Sequence, residues 1–127
     1  MSFTNSFETD VLNWGLTAGS VTRPTAWYIG LFTSDPTDTG AAGTEVTGGS
    51  YARTAATFTV TGDTASNSGA VEFPAATAGW GTVSHIGVFT ASSGGTMLVH
   101  AVLTTAKAIA TGDVFRIPTG DLDITLD

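Results

Sequence analysis

Two histidines and three groups of acids are the side chains in this 127-residue sequence whose types suit chemistry. His85 and His100 both fall in stretches that predict β-strands, so strand pairing could set them face to face as metal ligands, or make one a general base. A hydrolase would also need a serine or carboxylate brought to one of them by the fold. Neither Gly-x-Ser-x-Gly nor His-Glu-x-x-His occurs to mark one. The other reading is a pair of hydrogen-bonded, partly buried polar residues. Asp121, Asp123 and Asp127 alternate with Leu122, Ile124 and Leu126, while Asp35 and Asp38 share a loop. Both sets invite a calcium reading, but neither has the Asp-x-Asp-x-Asp-Gly spacing and closing Glu of a calcium loop. Alternating acids also mark the wet face of an amphipathic strand and discourage edge-to-edge aggregation. Glycoside hydrolysis needs two carboxylates at a defined separation, and the three glutamates, Glu8, Glu45 and Glu72, stand in no recognisable motif. No catalytic residue, metal ligand or cofactor site is assigned.

Aromatic residues offer a second kind of site. Trp14, Trp27, Tyr28, Tyr51 and Trp80 would anchor a sugar or a protein partner if exposed, and would fill the core if not. Trp80 lies between Gly79 and Gly81, a setting that predicts a ring presented from a loop. Arg53, close to Tyr51, could meet a partner or pair with a nearby acid. With the helical stripe described next, the candidate interface residues are Phe7, Val11, Trp14, Tyr51, Arg53 and Trp80.

The elements that must position these residues are mainly strands. Ile29-Gly30-Leu31-Phe32-Thr33 returns as Ile86-Gly87-Val88-Phe89-Thr90. In each copy Ile and the following Leu or Val are expected to point different ways, and Gly leaves a gap for a ring or backbone. Both copies are expected to be buried on two sides. Asn5 and Glu8 are spaced as a capping box ahead of Phe7, Val11 and Trp14, which predicts a short helix over about residues 6–16. A helix so short is marginal alone, so its apolar stripe must dock on the sheet or on a partner. Strands are predicted at Ala26–Thr33, Tyr51–Val60, Ala70–Phe73, Val83–Phe89, Met97–Leu103, Val114–Ile117 and Leu122–Leu126. Ser92-Ser93-Gly94-Gly95 reads as a hairpin turn and Thr111-Gly112-Asp113 as another connection. The expectation is an all-β protein: an antiparallel β-sandwich or jelly-roll-like domain with one short N-terminal helix. It is read as a single domain over 1–127, with a helical segment at 1–22 and the sandwich at 23–127.

Composition narrows the function classes. Only 12% of residues are charged against 42% apolar, a turn-rich all-β balance. The absence of Cys leaves cohesion to sheet packing and oligomerisation. The net charge is −7, and the only cations are Arg23, Arg53, Lys107 and Arg116, so a nucleic-acid partner is not expected. No stretch approaches the roughly 18 apolar residues of a membrane helix, and Met1–Glu8 has no basic or apolar targeting region, so a cytoplasmic origin is expected.

Five segments carry a resemblance. Tyr28-Ile29-Gly30-Leu31-Phe32-Thr33-Ser34-Asp35-Pro36, Glu45-Val46-Thr47-Gly48-Gly49-Ser50-Tyr51-Ala52-Arg53, Phe73-Pro74-Ala75-Ala76, Trp80-Gly81-Thr82-Val83 and Gly120-Asp121-Leu122-Asp123-Ile124 stand in an order and spacing that resemble a family of small virion proteins of tailed bacteriophages. Its members are commonly labelled tail fibre proteins, and its implication is a non-enzymatic particle component on the outer surface of the virion, assembled in the bacterial cytoplasm. It leaves head and tail open. A short globule without a shaft and an acidic surface favour a head decoration or cement protein, in which a homotrimer bridges subunits of the major capsid protein. The alternative is a tail-tip or tail-fibre component that binds host glycan through Trp80 or Tyr51, with other tail proteins as its partners.

Overall fold

The computed structural model describes residues 1–126, so Asp127, the last of the predicted alternating acids, lies outside the described residues. In chain order the elements are β1 (Ser2–Phe3), α1 (Asn5–Leu16), β2 (Trp27–Phe32), β3 (Thr54–Ala56), β4 (Phe58–Thr61), β5 (Thr64–Asn67), β6 (Val71–Glu72), β7 (Gly81–Phe89), β8 (Met97–Ile109), β9 (Arg116–Ile117) and β10 (Asp123–Thr125). They form a five-stranded sheet ordered β1-β8-β7-β2-β3, a three-stranded sheet β10-β5-β4 and a two-stranded sheet β6-β9. All described strand pairs are antiparallel, which makes the fold the all-β sandwich type with one short helix that the strand pattern predicts.

The repeated segments are neighbours. Strands β2 and β7 pair antiparallel with Ile29 opposite Val88, Gly30 opposite Gly87 and Leu31 opposite Ile86. The expected two-sided burial follows from this register. The expectation that Ile and Leu or Val point different ways is corrected: two residues apart on a strand, Ile29 and Leu31, like Ile86 and Val88, share a face and point into the main core, with side chains from all three sheets and from Phe73, Trp80 and Phe115. Phe32, Phe89 and Met97 form a second, smaller cluster, against which Tyr28 packs. The facing glycines make room for that cluster. A Cβ on Gly30 would lie 2.9 Å from Cε2 of Phe89, and one on Gly87 would lie 3.2 Å from the same atom and 2.7 Å from the Met97 methyl.

Several strand boundaries differ from the sequence expectation, each for a local reason. Tyr51–Val60 is not one strand. The chain leaves the five-stranded sheet after Ala56 and joins the three-stranded sheet at Phe58, turning at Thr57. Thr57 fixes that corner, since its carbonyl accepts from Ser68 N at 2.9 Å and its hydroxyl meets the Ser68 hydroxyl at 2.6 Å. Strand β5 has Ala65 as its one apolar residue and carries no apolar alternation, so it was not expected, yet it is the middle strand of its sheet. Its Asn67 is almost fully buried and ties three loops together: Nδ2 donates to Gly69 O and Pro118 O, and Oδ1 accepts from Leu122 N. Strand β8 runs six residues past Leu103, through a run of Thr, Ala and Lys that carries no burial signal, because β7 still offers partners from Gly81 to Val83. The two-residue β1, also unexpected, pairs Ser2 with His100 and Phe3 with Val99.

The helix begins one residue early, and the predicted capping box is not formed. Thr4 is the N-cap residue, with no side-chain cap bond, because its hydroxyl turns inward to the carbonyls of Met97 at 2.8 Å and Leu98 at 3.2 Å. Asn5 instead gives its backbone N–H to Asp38 O at 2.8 Å. Only one end of the predicted apolar stripe docks. Phe7 packs on the core with its ring 4.8 Å from that of Phe3, whereas Trp14 is 78% exposed and no helical residue is fully buried.

The glycine pair yields a graded expectation. Phe89 is pinned on its far side, so Gly30→Ala has no easy relief and should cost about 1–3 kcal/mol. Gly87→Ala meets first the flexible end of Met97 and should cost less. Urea unfolding of the two variants checks the order; equal midpoints would contradict it.

Candidate functional site

Behind the glycine pair lies a polar assembly built from Glu45, Tyr51, Arg53 and Phe89. Glu45 is placed by an isolated bridge to Phe32 at the end of β2, and Arg53 stands just before β3. The guanidinium grips the carboxylate with two parallel bonds, Nε to Oε2 at 2.9 Å and Nη2 to Oε1 at 2.8 Å. Its third nitrogen donates to the carbonyls of Ala91 at 3.1 Å and Gly94 at 2.7 Å, and its plane sits 3.4 Å from the centroid of Phe89. Tyr51 completes the set, donating to Glu45 Oε2 at 2.6 Å while accepting from Leu31 N at 3.0 Å. Fork geometry and ring stacking suit Arg and not Lys. Burial pushes the Glu45 carboxyl up, but the bonds from Arg53 and Tyr51 outweigh it and hold the group below its ordinary value. Burial and the bond to Glu45 push the Tyr51 hydroxyl well above its usual range.

The expectation of a presented Trp80 is corrected. Its ring is 5% exposed, stands edge-on to Tyr51 at 5.5 Å and donates Nε1–H to Gly49 O at 2.9 Å. The flanking glycines serve backbone fit instead of display: Gly81 takes a positive φ of 81° at the start of β7. Tyr51 is likewise half-buried, stacked on Phe73, and its hydroxyl is committed to Glu45 and Leu31. Of the aromatic anchors considered, Trp14 is the one the structure leaves open.

The two histidines share a face but are not opposite each other. His85 pairs with Val102 and His100 with Gly87, a diagonal relation along β7 and β8. Both line a shallow depression of about 270 Å³ with Asp35. His100 Nε2 binds Asp38 Oδ1 at 2.8 Å, and this bond, with one from Ser2, holds the Asp38 carboxyl below its usual range. His85 contacts only the adjacent Ser84 hydroxyl at 2.8 Å, and no carboxylate hydrogen-bonds it among the described residues. Among the described residues no three His, Cys, Asp or Glu side chains converge as a metal site. The carboxylates are otherwise engaged: Asp35 accepts from Thr37 N, and Asp123 from the Ser66 hydroxyl.

The helix and the segment after it enclose a groove of about 400 Å³. Phe7, Val11 and Trp14 form one wall and Arg23 and Pro24 another, with Asp10 at its edge. The structure therefore brings the three helical candidates together, and sets Tyr51, Arg53 and Trp80 apart from them. Asp10 and Arg23 were missed because neither belongs to a motif. Leu12 and Leu16 were missed too, although their spacing of four within a predicted helix already marks a second apolar stripe.

A family model described as podophage GP4 fiber I protein gp80 matches residues 2–125 of the chain. No curated protein matches it. That match spans nearly the whole chain and includes Glu45 and Arg53, whose assembly in this structure braces a loop against the sheet.

Removing one partner of such a shielded pair strands the other charge, so Arg53→Ala should cost about 3 kcal/mol or more. Arg53→Lys should recover only part of that, for want of the fork. Because the Glu45 pKa is lowered in the folded state, its stabilisation is fully present above its ordinary value of 4.5 and is lost as pH falls through the lower folded value. Denaturation of wild type and Arg53→Ala across that window should show a steeper acid loss in the wild type. Parallel curves would contradict the assignment.

Proposed function

We propose that this chain, which belongs to the podophage GP4 fiber I protein gp80 family, is a non-enzymatic tail-fibre component of a bacteriophage virion that assembles with other tail proteins and meets the host surface. The observation that carries the reading is the family match over residues 2–125, which names a fibre. It supports the tail over the head: a capsid decoration or cement role rests on size and acidity alone, and nothing in the match favours it. The chain works as one domain and as a homo-oligomer, with a trimer as the proposed arrangement. It is made in the host cytoplasm, with no nucleic-acid partner.

A specific feature favours host glycan as the surface ligand. Trp14 presents an open aromatic face beside a carboxylate, Asp10, and a guanidinium, Arg23, in one groove. An apolar ring face flanked by a donor and an acceptor matches a sugar ring, which has an apolar face and hydroxyls at its edge. Phe7 and Val11 line the same groove and add apolar surface beside Trp14.

Immunogold electron microscopy of intact particles tests location: gold at the tail is expected, and gold scattered over the head would overturn the reading in favour of decoration. Trp14→Ala should weaken binding of the purified protein to host cells by roughly 10-fold or more, with the far-ultraviolet circular dichroism unchanged. Undiminished binding would remove the glycan role from this groove. Trp80→Ala should unfold the protein instead, because that ring is part of the core.

A further inference from the structure

Helix α1 is apolar on two opposite sides, and the side chains of one of them stand mostly in solvent. At 100° per residue, Phe7, Val11 and Trp14 fall on one stripe, while Leu12 and Leu16 fall on the other. Leu12 is 58% and Leu16 79% exposed. A helix with apolar side chains on both faces is normally enclosed on both, so the outer stripe needs a cover that one copy of the chain does not supply.

The same end of the molecule carries an unfilled hole. Where the five-stranded and three-stranded sheets splay apart, a groove of about 340 Å³ opens between Trp27, Phe58, Val60, Ile124 and Leu126, its floor formed by the core residue Val88. The volume equals about ten water molecules, and nearly all of its lining is apolar. Val60 and Leu126 at its rim are 70% and 55% exposed. Phe3 and Leu126 line both this groove and the depression beneath Leu12, so stripe and hole belong to one continuous surface. Of the large hydrophobic side chains exposed on the described protein, all but Val102 and Val114 lie on the helix or along this surface.

We infer that this end is where copies of the chain join, with Leu12 and Leu16 of one copy seated in the groove rimmed by Val60 and Leu126 of the next. The occupant is a second copy because each chain carries both halves of the contact, a protruding pair of leucines and a receiving apolar groove. Charge points the same way. Two molecules of net charge −7 repel over most of their surface, and only an almost uncharged patch lets them approach. Here Glu8 and Asp63 stand as the acids of the two depressions, and no Lys or Arg side chain lines either one to recruit an acidic partner. Knob and hole are adjoining but distinct patches, so the contact is head-to-tail, and it closes into a ring, with neither half left exposed, when the rotation between copies returns to its start. The inference rests on the homo-oligomer reading above and supplies its contact surface.

The test uses the full chain, which has no cysteine and so gives no background labelling. Light scattering coupled to gel filtration, over a concentration series, compares wild type with the double variant Leu12→Asp, Leu16→Asp. Both positions are solvent-facing, so the fold should persist, as circular dichroism will report. Separately, Leu12→Cys and Val60→Cys proteins are mixed and treated with a short bismaleimide. The expected results are an oligomeric wild type, a dissociation constant raised at least roughly 10-fold in the double variant, and covalently linked pairs when the two cysteine variants are mixed but not when either is treated alone. If the oligomer survives the double variant and the mixture gives no linked pairs, this surface is wrong while the oligomer reading stands. If the wild type is a monomer at every concentration, both fall.

Discussion

The stacking of Phe89 over two facing glycines is the contact on which the rest of the molecule depends. Gly30 and Gly87 stand opposite each other on adjacent strands and leave a gap that only a flat ring fills. Phe89 fills it from one side, and Arg53 covers the ring from the other at 3.4 Å. Arg53 in turn holds Glu45 and the turn carbonyls of Ala91 and Gly94, so one ring links the central strands, the long loop before β3 and the β7–β8 hairpin. Tyr51 extends the chain of contacts inward, from Glu45 to the backbone of Leu31 and across to Trp80. The two cores thus meet through polar groups whose hydrogen bonds are all made: no buried side-chain nitrogen or oxygen among the described residues lacks a partner.

Much of this was legible in the residues, and the rest failed for identifiable causes. The duplicated Ile-Gly-x-Phe-Thr segment revealed two central strands and the purpose of their glycines, because burial on both faces imposes a pattern that survives in sequence. What it could not reveal is that the copies pair with each other, since β3 to β6 lie between them in the chain and their pairing is a long-range contact. Strand β5 was invisible because a strand held by Asn67 and by backbone bonds needs no apolar alternation. Trp80 misled for a related reason: flanking glycines mark unusual backbone, and unusual backbone occurs in packed corners as well as in exposed loops. For the site, the helical candidates Phe7, Val11 and Trp14 do share one groove, while Tyr51 and Arg53 turn out to brace the interior.

The two phage readings drew on different kinds of argument, and they diverged where physics is weakest. Size, acidity and the lack of a shaft describe a globule that suits either a capsid lattice or a tail appendage. Family membership over residues 2–125 separates them in a way that bulk properties do not. In the proposed reading the helical end of the sandwich is where both assembly and host contact would take place, because the two apolar stripes of the helix face opposite ways.

The pairing of Ser2 with His100 has a consequence for the order of events during synthesis. That contact closes a loop spanning most of the chain, and such closure must await the emergence of β8 from the ribosome. Until then Thr4 has no carbonyls of Met97 and Leu98 to bind, and a helix of three turns has little reason to persist by itself. The helix is therefore ordered only after β8 has been made, and a contact between copies through its outer stripe, as inferred above, would form only after that stage of folding.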